Sequence, residues 1–126
     1  MPQPVIDENP KASVGIIAYG SSHWAVIETR DQLAREAGIE TAYLRIRAYP
    51  LTDSIADFIA RHDRVYVVEQ NRDGQMFSLM RMELDASLAA KLRSVRHFNG
   101  LPIDARSVTD GILAQEQVTT PQLVSQ

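Results

Sequence analysis

The residues whose types can do chemistry collect at two junctions, and each junction directly follows an apolar run. Gly20-Ser21-Ser22-His23 follows the apolar run that begins at Val14. The polar stretch from Glu69 to Gln75 follows a second apolar run, which begins at Val65. A Gly-Ser turn before a helix frees backbone donors that can hold an anion, because the helix dipole favours negative charge there. A tight turn in which a serine caps the helix is the interpretation we favour.

Neither junction carries a cofactor fingerprint or a catalytic set. The sequence lacks G-x-G-x-x-G, G-x-x-x-x-G-K-[ST] and the G-x-S-x-G elbow of hydrolases. Ser22 and His23 are adjacent on the predicted helix, so they do not face each other as a nucleophile and its base must. The histidines His23, His62 and His97 fit no metal-ligand spacing. We therefore expect no catalytic, cofactor-binding or metal-binding residue in this chain.

The second junction ends a buried strand with three polar residues, Glu69, Gln70 and Asn71. Polar groups are costly to bury unless they are paired, so they lie either at a solvated rim or at an interface that satisfies them. A simple turn in which Asn71 or Asp73 caps the next helix is the alternative, and the residues leave it open.

Composition and charge indicate one globular domain. The chain has 126 residues, of which 44% are hydrophobic and 23% charged, and its net charge is −3. These values argue against a disordered chain and against non-specific nucleic-acid binding. Without cysteine the chain has no disulfide, thiolate metal site or thiol nucleophile. No apolar run approaches the ~18 residues of a membrane span, and the first residues are no signal peptide, so we expect a soluble cytoplasmic protein without a membrane partner.

The elements that position the junctions alternate between strand and helix. Apolar runs predict buried strands at Val14–Tyr19 and 65–69, and a fourth strand is predicted at 94–98. Alternating residues over 41–49 predict a strand with one wetter face, suited to an edge or a contact surface, where Arg45 and Arg47 with Tyr43 and Tyr49 suggest an interface patch. Predicted helices follow each strand: one capped by Ser21 or Ser22 and ended by Gly38, one from Thr52 with Arg61 and His62 in its last turn, one from Met76 to Glu83 with a short one over 86–92, and one after Asp104.

This alternation predicts an α/β domain with a mainly parallel sheet covered by helices on both faces. In such sheets the functional edge is the one where the strands end. The proline-containing segment 1–13 is expected to be a linker or extended arm, and 117–126 a polar tail, around a domain that spans 14–116.

Three stretches in order, VGIIAYGSSHWAVIE (14–28), YLRIRAYPL (43–51) and DRVYVVEQNRDGQ (63–75), closely resemble one family. The chain resembles the carboxyl-terminal region of the alpha subunit of 2-oxoacid:ferredoxin oxidoreductases of the 2-oxoglutarate type, and the resemblance covers most of its length. It implies a three-layer α/β/α fold like the transketolase carboxyl-terminal domain, with a mixed sheet of about five strands of which one is antiparallel. The residue patterns alone give four strands.

The resemblance also implies what the intact enzyme does and what this chain leaves to others. The enzyme would decarboxylate a 2-oxoacid on thiamine diphosphate and magnesium, pass electrons through an iron–sulfur cluster to ferredoxin, and form an acyl-CoA. In that family the diphosphate and magnesium are held by other domains, mostly in the partner beta subunit and the pyrimidine-binding domain of the alpha chain, and the Gly-Asp-Gly stretch that marks thiamine binding is absent here. The chain is expected to be one domain of a longer polypeptide, inactive when isolated.

By the same resemblance the two junctions become candidate contacts between domains or subunits, near the approach of substrate or CoA. The candidates are Gly20, Ser21, Ser22, His23, Glu69, Gln70, Asn71, Gly74 and Gln75. The alternative from another class is a stand-alone module of Rossmann-like or flavodoxin-like topology that binds a nucleotide or another small ligand. Its support is the Gly20-Ser21-Ser22 turn at a helix start.

Overall fold

The computed structural model describes residues 5–19, 23–46, 53–69, 75–96 and 105–119. Within these ranges five strands form one sheet in the order β1-β3-β2-β4-β5. Strands β2 to β5 run parallel to one another, and β1 pairs antiparallel with β3 at the edge. The strands are β1 Val5–Asp7, β2 Val14–Tyr19, β3 Thr41–Ile46, β4 Arg64–Glu69 and β5 Leu92–Arg96.

Helices cover both faces of this sheet, which confirms the three-layer α/β architecture. One face packs against α1 (His23–Ala37) and α5 (Ala105–Thr119) through residues such as Ile16, Tyr66 and Val108. The other packs against α2 (Asp53–Ala60), α3 (Gln75–Glu83) and α4 (Ala86–Ala89) through residues such as Ile17, Phe58 and Met80. Strands β2 and β4 contribute to both cores because successive side chains point to opposite faces.

Two glycines are fixed by geometry. Gly38 has φ +68° and ends α1, with its own N–H bonded to Ala34 O (3.2 Å) and the Ile39 N–H to Leu33 O (3.0 Å), as the sequence predicted. A Cβ at Gly15 would lie 2.8 Å from Phe58 Cε2 and 3.3 Å from His62 Nδ1. The absence of a side chain in β2 therefore lets α2 approach the sheet closely.

The fifth strand lies where the residue patterns showed none. Val5–Asp7 forms β1 inside the segment expected to be a linker or extended arm, with Ile6 opposite Leu44. As a result β3 is not an edge strand, contrary to the prediction, because β1 covers one side and β2 the other. Its side chains are buried from Thr41 to Leu44, so the expected wetter face is also wrong for this part of the strand.

Several element boundaries differ from the predictions. Helix α2 ends at Ala60, so Arg61 and His62 follow it; His62 is buried and its Nδ1 donates to Phe58 O at 2.7 Å. Strand β5 begins at Leu92, because the parallel ladder already starts where the Val65 N–H bonds to Lys91 O (2.9 Å). Helix α5 continues to Thr119, into the segment expected to be a polar tail.

Candidate functional site

The two sequence junctions lie at the carboxyl ends of neighbouring strands. Strands β2 and β4 pair directly, and their continuations enter helices on opposite faces of the sheet, α1 on one and α3 on the other. This arrangement is a topological switch point, the position at which open α/β sheets generally bind their ligands. The strand order places both junctions there, although neither sequence motif by itself could show that they are neighbours.

His23 begins α1 and bonds to β3. Its Nδ1 lies 3.1 Å from the Tyr43 phenol oxygen, and the two rings stack with centroids 5.7 Å apart. Burial lowers the pKa of His23, and the nearby positive charge of Arg45 lowers it further. The imidazole is therefore uncharged at neutral pH and holds the start of the helix against the sheet.

Tyr43 is buried beneath this contact, with the Arg30 guanidinium 5.9 Å from its ring centroid. Burial raises the pKa of Tyr43 to about 12, while Arg45 and Arg30 act in the opposite direction. Of the four residues expected to form an interface patch, Tyr43 is thus mainly a core residue and Arg45 is partly exposed. Arg47 and Tyr49 lie outside the described residues.

Trp24 is the residue at this edge that the sequence reasoning did not single out. Its side chain is 79% exposed, its ring meets the His23 ring edge-on at 5.0 Å, and Ile27 one turn further on is 40% exposed. The spacing of the apolar residues in this helix predicts one buried stripe made of Val26, Ile27, Leu33, Ala34 and Ala37, and for Ile27 that prediction is wrong. A helical wheel carries the missing signal, since Trp24 lies about 140–200° around the helix from the buried residues Val26, Thr29 and Leu33.

Glu69 ends β4 on the opposite face of the sheet. It is buried, and its Oε2 accepts the Phe77 backbone N–H at 3.1 Å. A carboxylate in this position satisfies a donor in the first turn of α3 and complements the helix dipole. Part of the capping expected from Asn71 or Asp73 is therefore supplied by Glu69.

The structure describes only three of the candidate residues, and it does not place His23 and Glu69 together. His23 and Glu69 lie on different faces of the sheet, and Gln75 begins α3. The other candidates fall outside the described residues: Gly20, Ser21, Ser22, Gln70, Asn71 and Gly74.

In the described part of the chain, no group of three or more histidine, aspartate or glutamate side chains is placed to hold a metal ion. No helix there has both the length and the apolar character to cross a bilayer. An open groove of about 530 Å³ runs between α3 and α4, lined by Phe77, Ser78, Arg81, Met82, Ala86, Ala89 and Ala90.

The fold and the switch point define a doubly wound α/β domain with an antiparallel edge strand. No family model and no curated protein matches the sequence. Among solved structures, the chain superposes on 2-oxoglutarate:ferredoxin oxidoreductase from Magnetococcus marinus, solved with 2-oxoglutarate, coenzyme A and succinyl-CoA bound, with a TM-score of 0.76 and 23% identity over 91% of this chain. It covers 20% of that chain, and so spans about a fifth of that relative's length.

A second solved structure has a similar fold. The alpha chain of a probable 2-oxoacid ferredoxin oxidoreductase from Thermoplasma acidophilum matches with a TM-score of 0.53 and 17% identity, over 92% of this chain and 97% of that one. The sequence resemblance is thus confirmed in the fold: the described domain has the five-strand mixed sheet of these oxidoreductases.

Proposed function

We propose that this chain is the interdomain and subunit-interface domain of a 2-oxoacid:ferredoxin oxidoreductase, of the type that converts 2-oxoglutarate to an acyl-CoA. The observation that carries the proposal is the match of 91% of the chain to one fifth of a much larger oxidoreductase polypeptide. In this proposal thiamine diphosphate, magnesium and the iron–sulfur cluster belong to the remaining polypeptides. Ferredoxin and CoA are partners of the whole enzyme.

The contacts at the switch point support a structural role for its described polar groups. Glu69 accepts the Phe77 N–H and His23 bonds to Tyr43, so each group holds a helix start against the sheet. We propose that the remaining candidates, Gly20, Ser21, Ser22, Gln70, Asn71 and Gly74, together with Gln75, contact neighbouring domains at this edge.

The test is to express the tagged chain in its own cells, purify the complex it enters, and assay 2-oxoglutarate-dependent and CoA-dependent reduction of a viologen dye. We expect the complex to be active and the purified chain alone, supplied with thiamine diphosphate and magnesium, to be inactive. Turnover by the isolated chain, or an equally active complex prepared without it, would contradict the proposal.

The strand order supports a second candidate function. Parallel strands in the order β3-β2-β4-β5 are those of flavodoxin-like domains, which bind their ligand at the same switch point. A stand-alone nucleotide-binding module would then gain about 2.7 kcal/mol of stability at a ligand concentration 100 times the dissociation constant. A thermal-shift screen with nucleotides and flavins measures this, and the absence of any shift removes the candidate.

A further inference from the structure

Two exposed apolar side chains lie together on α1 beside the switch point. Trp24 is 79% exposed and Ile27 40% exposed, and residues three apart on a helix lie on the same side. Tryptophan is the residue type most enriched among those that dominate the affinity of protein interfaces. An indole left this exposed is therefore the strongest anchor that the described surface offers.

A positively charged side chain lies near this apolar pair. Arg45 follows Tyr43 by two residues in β3, so it lies on the same face of the sheet as the contact between Tyr43 and His23, and no ion pair joins it to another described residue. Five other arginines in the described ranges do pair with carboxylates: Arg30, Arg35, Arg61, Arg64 and Arg106.

We propose that Trp24, Ile27, His23 and Arg45, called here the Trp24 surface, dock on the remaining polypeptide of the oxidoreductase, against an apolar pocket with a carboxylate at its rim. This inference rests on the proposed function and names the surface that serves it. The solved relative provides the occupant, because about four fifths of that chain lie outside the matched domain. The pocket receives the indole, and the carboxylate pairs with Arg45, which has no ion-pair partner among the described residues.

The experiment uses the complex purified with the tagged chain as above, with its partners separated and recombined. Trp24 is the only tryptophan in the chain, so fluorotryptophan labelling gives this chain one fluorine NMR resonance. We expect that resonance to lose its H2O/D2O isotope shift on assembly. Trp24→Ala should weaken association about 30-fold or more, and Arg45→Gln should weaken it less while reducing its salt dependence.

Two variants serve as matched controls. Met82→Ala removes a side chain that is 80% exposed on the opposite layer, and Arg35→Gln removes an exposed charge from the far end of α1. Both should leave the affinity within about two-fold of wild type. Equal weakening by Trp24→Ala and Met82→Ala would overturn the assignment to this surface.

The outcomes separate the inference from the function on which it rests. An active complex in which the fluorine resonance keeps its isotope shift, or in which Trp24→Ala binds like wild type, overturns the docking surface and leaves the proposed function standing. Failure to obtain any complex active with 2-oxoglutarate and CoA overturns the proposed function, and the docking surface with it. Circular dichroism and an unchanged melting temperature establish that Trp24→Ala folds.

Discussion

The two ends of the parallel strands differ in their polar contacts. At the amino ends, largely buried charged side chains join helices and β1 to the sheet. At the carboxyl ends, the described polar side chains bond in simple pairs, beside the exposed indole of Trp24. Glu116 on α5 accepts two bonds from Arg64, at 2.7 and 2.8 Å, and one from the Tyr66 hydroxyl at 2.5 Å. His23 at the opposite end bonds to Tyr43. Among the described residues, those at the amino end therefore stabilise the packing of helices on the sheet, and we propose that the carboxyl end makes the contacts with other domains.

The amino end also fixes the edge strand. Arg30 donates to Asp7 Oδ2 at 2.6 Å and to Thr41 O at 2.7 Å, so one side chain links α1, β1 and β3. Arg30 is 17% exposed but Asp7 is 64% exposed, so the ion pair is partly open to solvent, and the better shielded part of the linkage is the pair of bonds from Arg30 to Thr41.

Removing the carboxylate that Arg64 and Tyr66 share at the amino end should have the largest effect on stability. Glu116→Ala leaves the Arg64 guanidinium, 18% exposed, and the buried Tyr66 hydroxyl without their shared acceptor. We expect the free energy of unfolding in urea to fall by about 2–4 kcal/mol.

The control for this variant is Asp110→Ala, which removes an exposed carboxylate bonded to Arg106 at 3.0 Å and should cost about 0.5 kcal/mol or less. If Glu116→Ala costs no more than Asp110→Ala, the contacts of Glu116 stabilise the fold no more than a surface ion pair does.

The second largest loss of stability is expected from adding a side chain at the close contact between β2 and α2. A methyl group at Gly15 would meet the Phe58 ring at 2.8 Å, so Gly15→Ala should lower the free energy of unfolding by about 1–3 kcal/mol. Adding Phe58→Leu should cost less in the Gly15→Ala background than in wild type, because the smaller side chain relieves the overlap. Additive effects in denaturant unfolding would show that the ring does not limit this contact.

Substituting one buried tyrosine at each end compares how much a hydrogen bond at that end contributes to the free energy of unfolding. Tyr66→Phe removes a bond to a carboxylate and should cost about 1.5–3 kcal/mol, whereas Tyr43→Phe removes a bond to a neutral imidazole and should cost about 0.5–1.5 kcal/mol. Urea unfolding at neutral pH measures both. Equal costs would remove the energetic distinction between the two ends.

Ionisation of the same tyrosines should lower the stability of the fold at alkaline pH. Burial raises the pKa of Tyr43 to about 12, and burial together with Glu116 raises the pKa of Tyr66. An unfolded tyrosine ionises near pH 10, so above that pH the unfolded state loses protons that the native state retains. Stability should therefore fall as pH rises from about 10 to 12, and less steeply in Tyr43→Phe. Unfolding curves across this range, read with tyrosinate absorbance, test the direction.

Much of the fold was predictable where a local pattern carried it. The apolar run 14–19 predicted β2, and Gly38 correctly marked the end of α1. The resemblance implied a fifth, antiparallel strand, but the residue patterns did not locate β1, because three residues have no period and become a strand only by pairing with β3. The Arg64–Glu116 pair joins positions 52 residues apart, and no local signal connects them.

The candidate site stays a prediction, and no local pattern predicted how its described residues pack. The polar residues after β2 and β4 were found from their place behind apolar runs, whereas the strand order that makes these strands neighbours came only from the structure. The role of Glu69 as a helix cap for α3 depends on a backbone N–H eight residues away, which no spacing rule specified. Trp24 was overlooked because the helix was read for its buried stripe and not for the side opposite.

The smallest expected effect concerns the charge state of the carboxyl end. Burial and then Arg45 lower the pKa of His23, so below about pH 6.5 the unfolded state binds a proton more readily than the native state. Stability contributed by His23 is therefore present above that pH and decreases as pH falls toward the native pKa. NMR titration of the imidazole should show its pKa rising toward the usual value in Arg45→Gln, but only in part, because burial remains the larger cause. Arg35→Gln, at the other end of α1, should leave the titration unchanged. If Arg45→Gln does not shift the pKa either, the Arg45 guanidinium does not lie close enough to His23 to act on it.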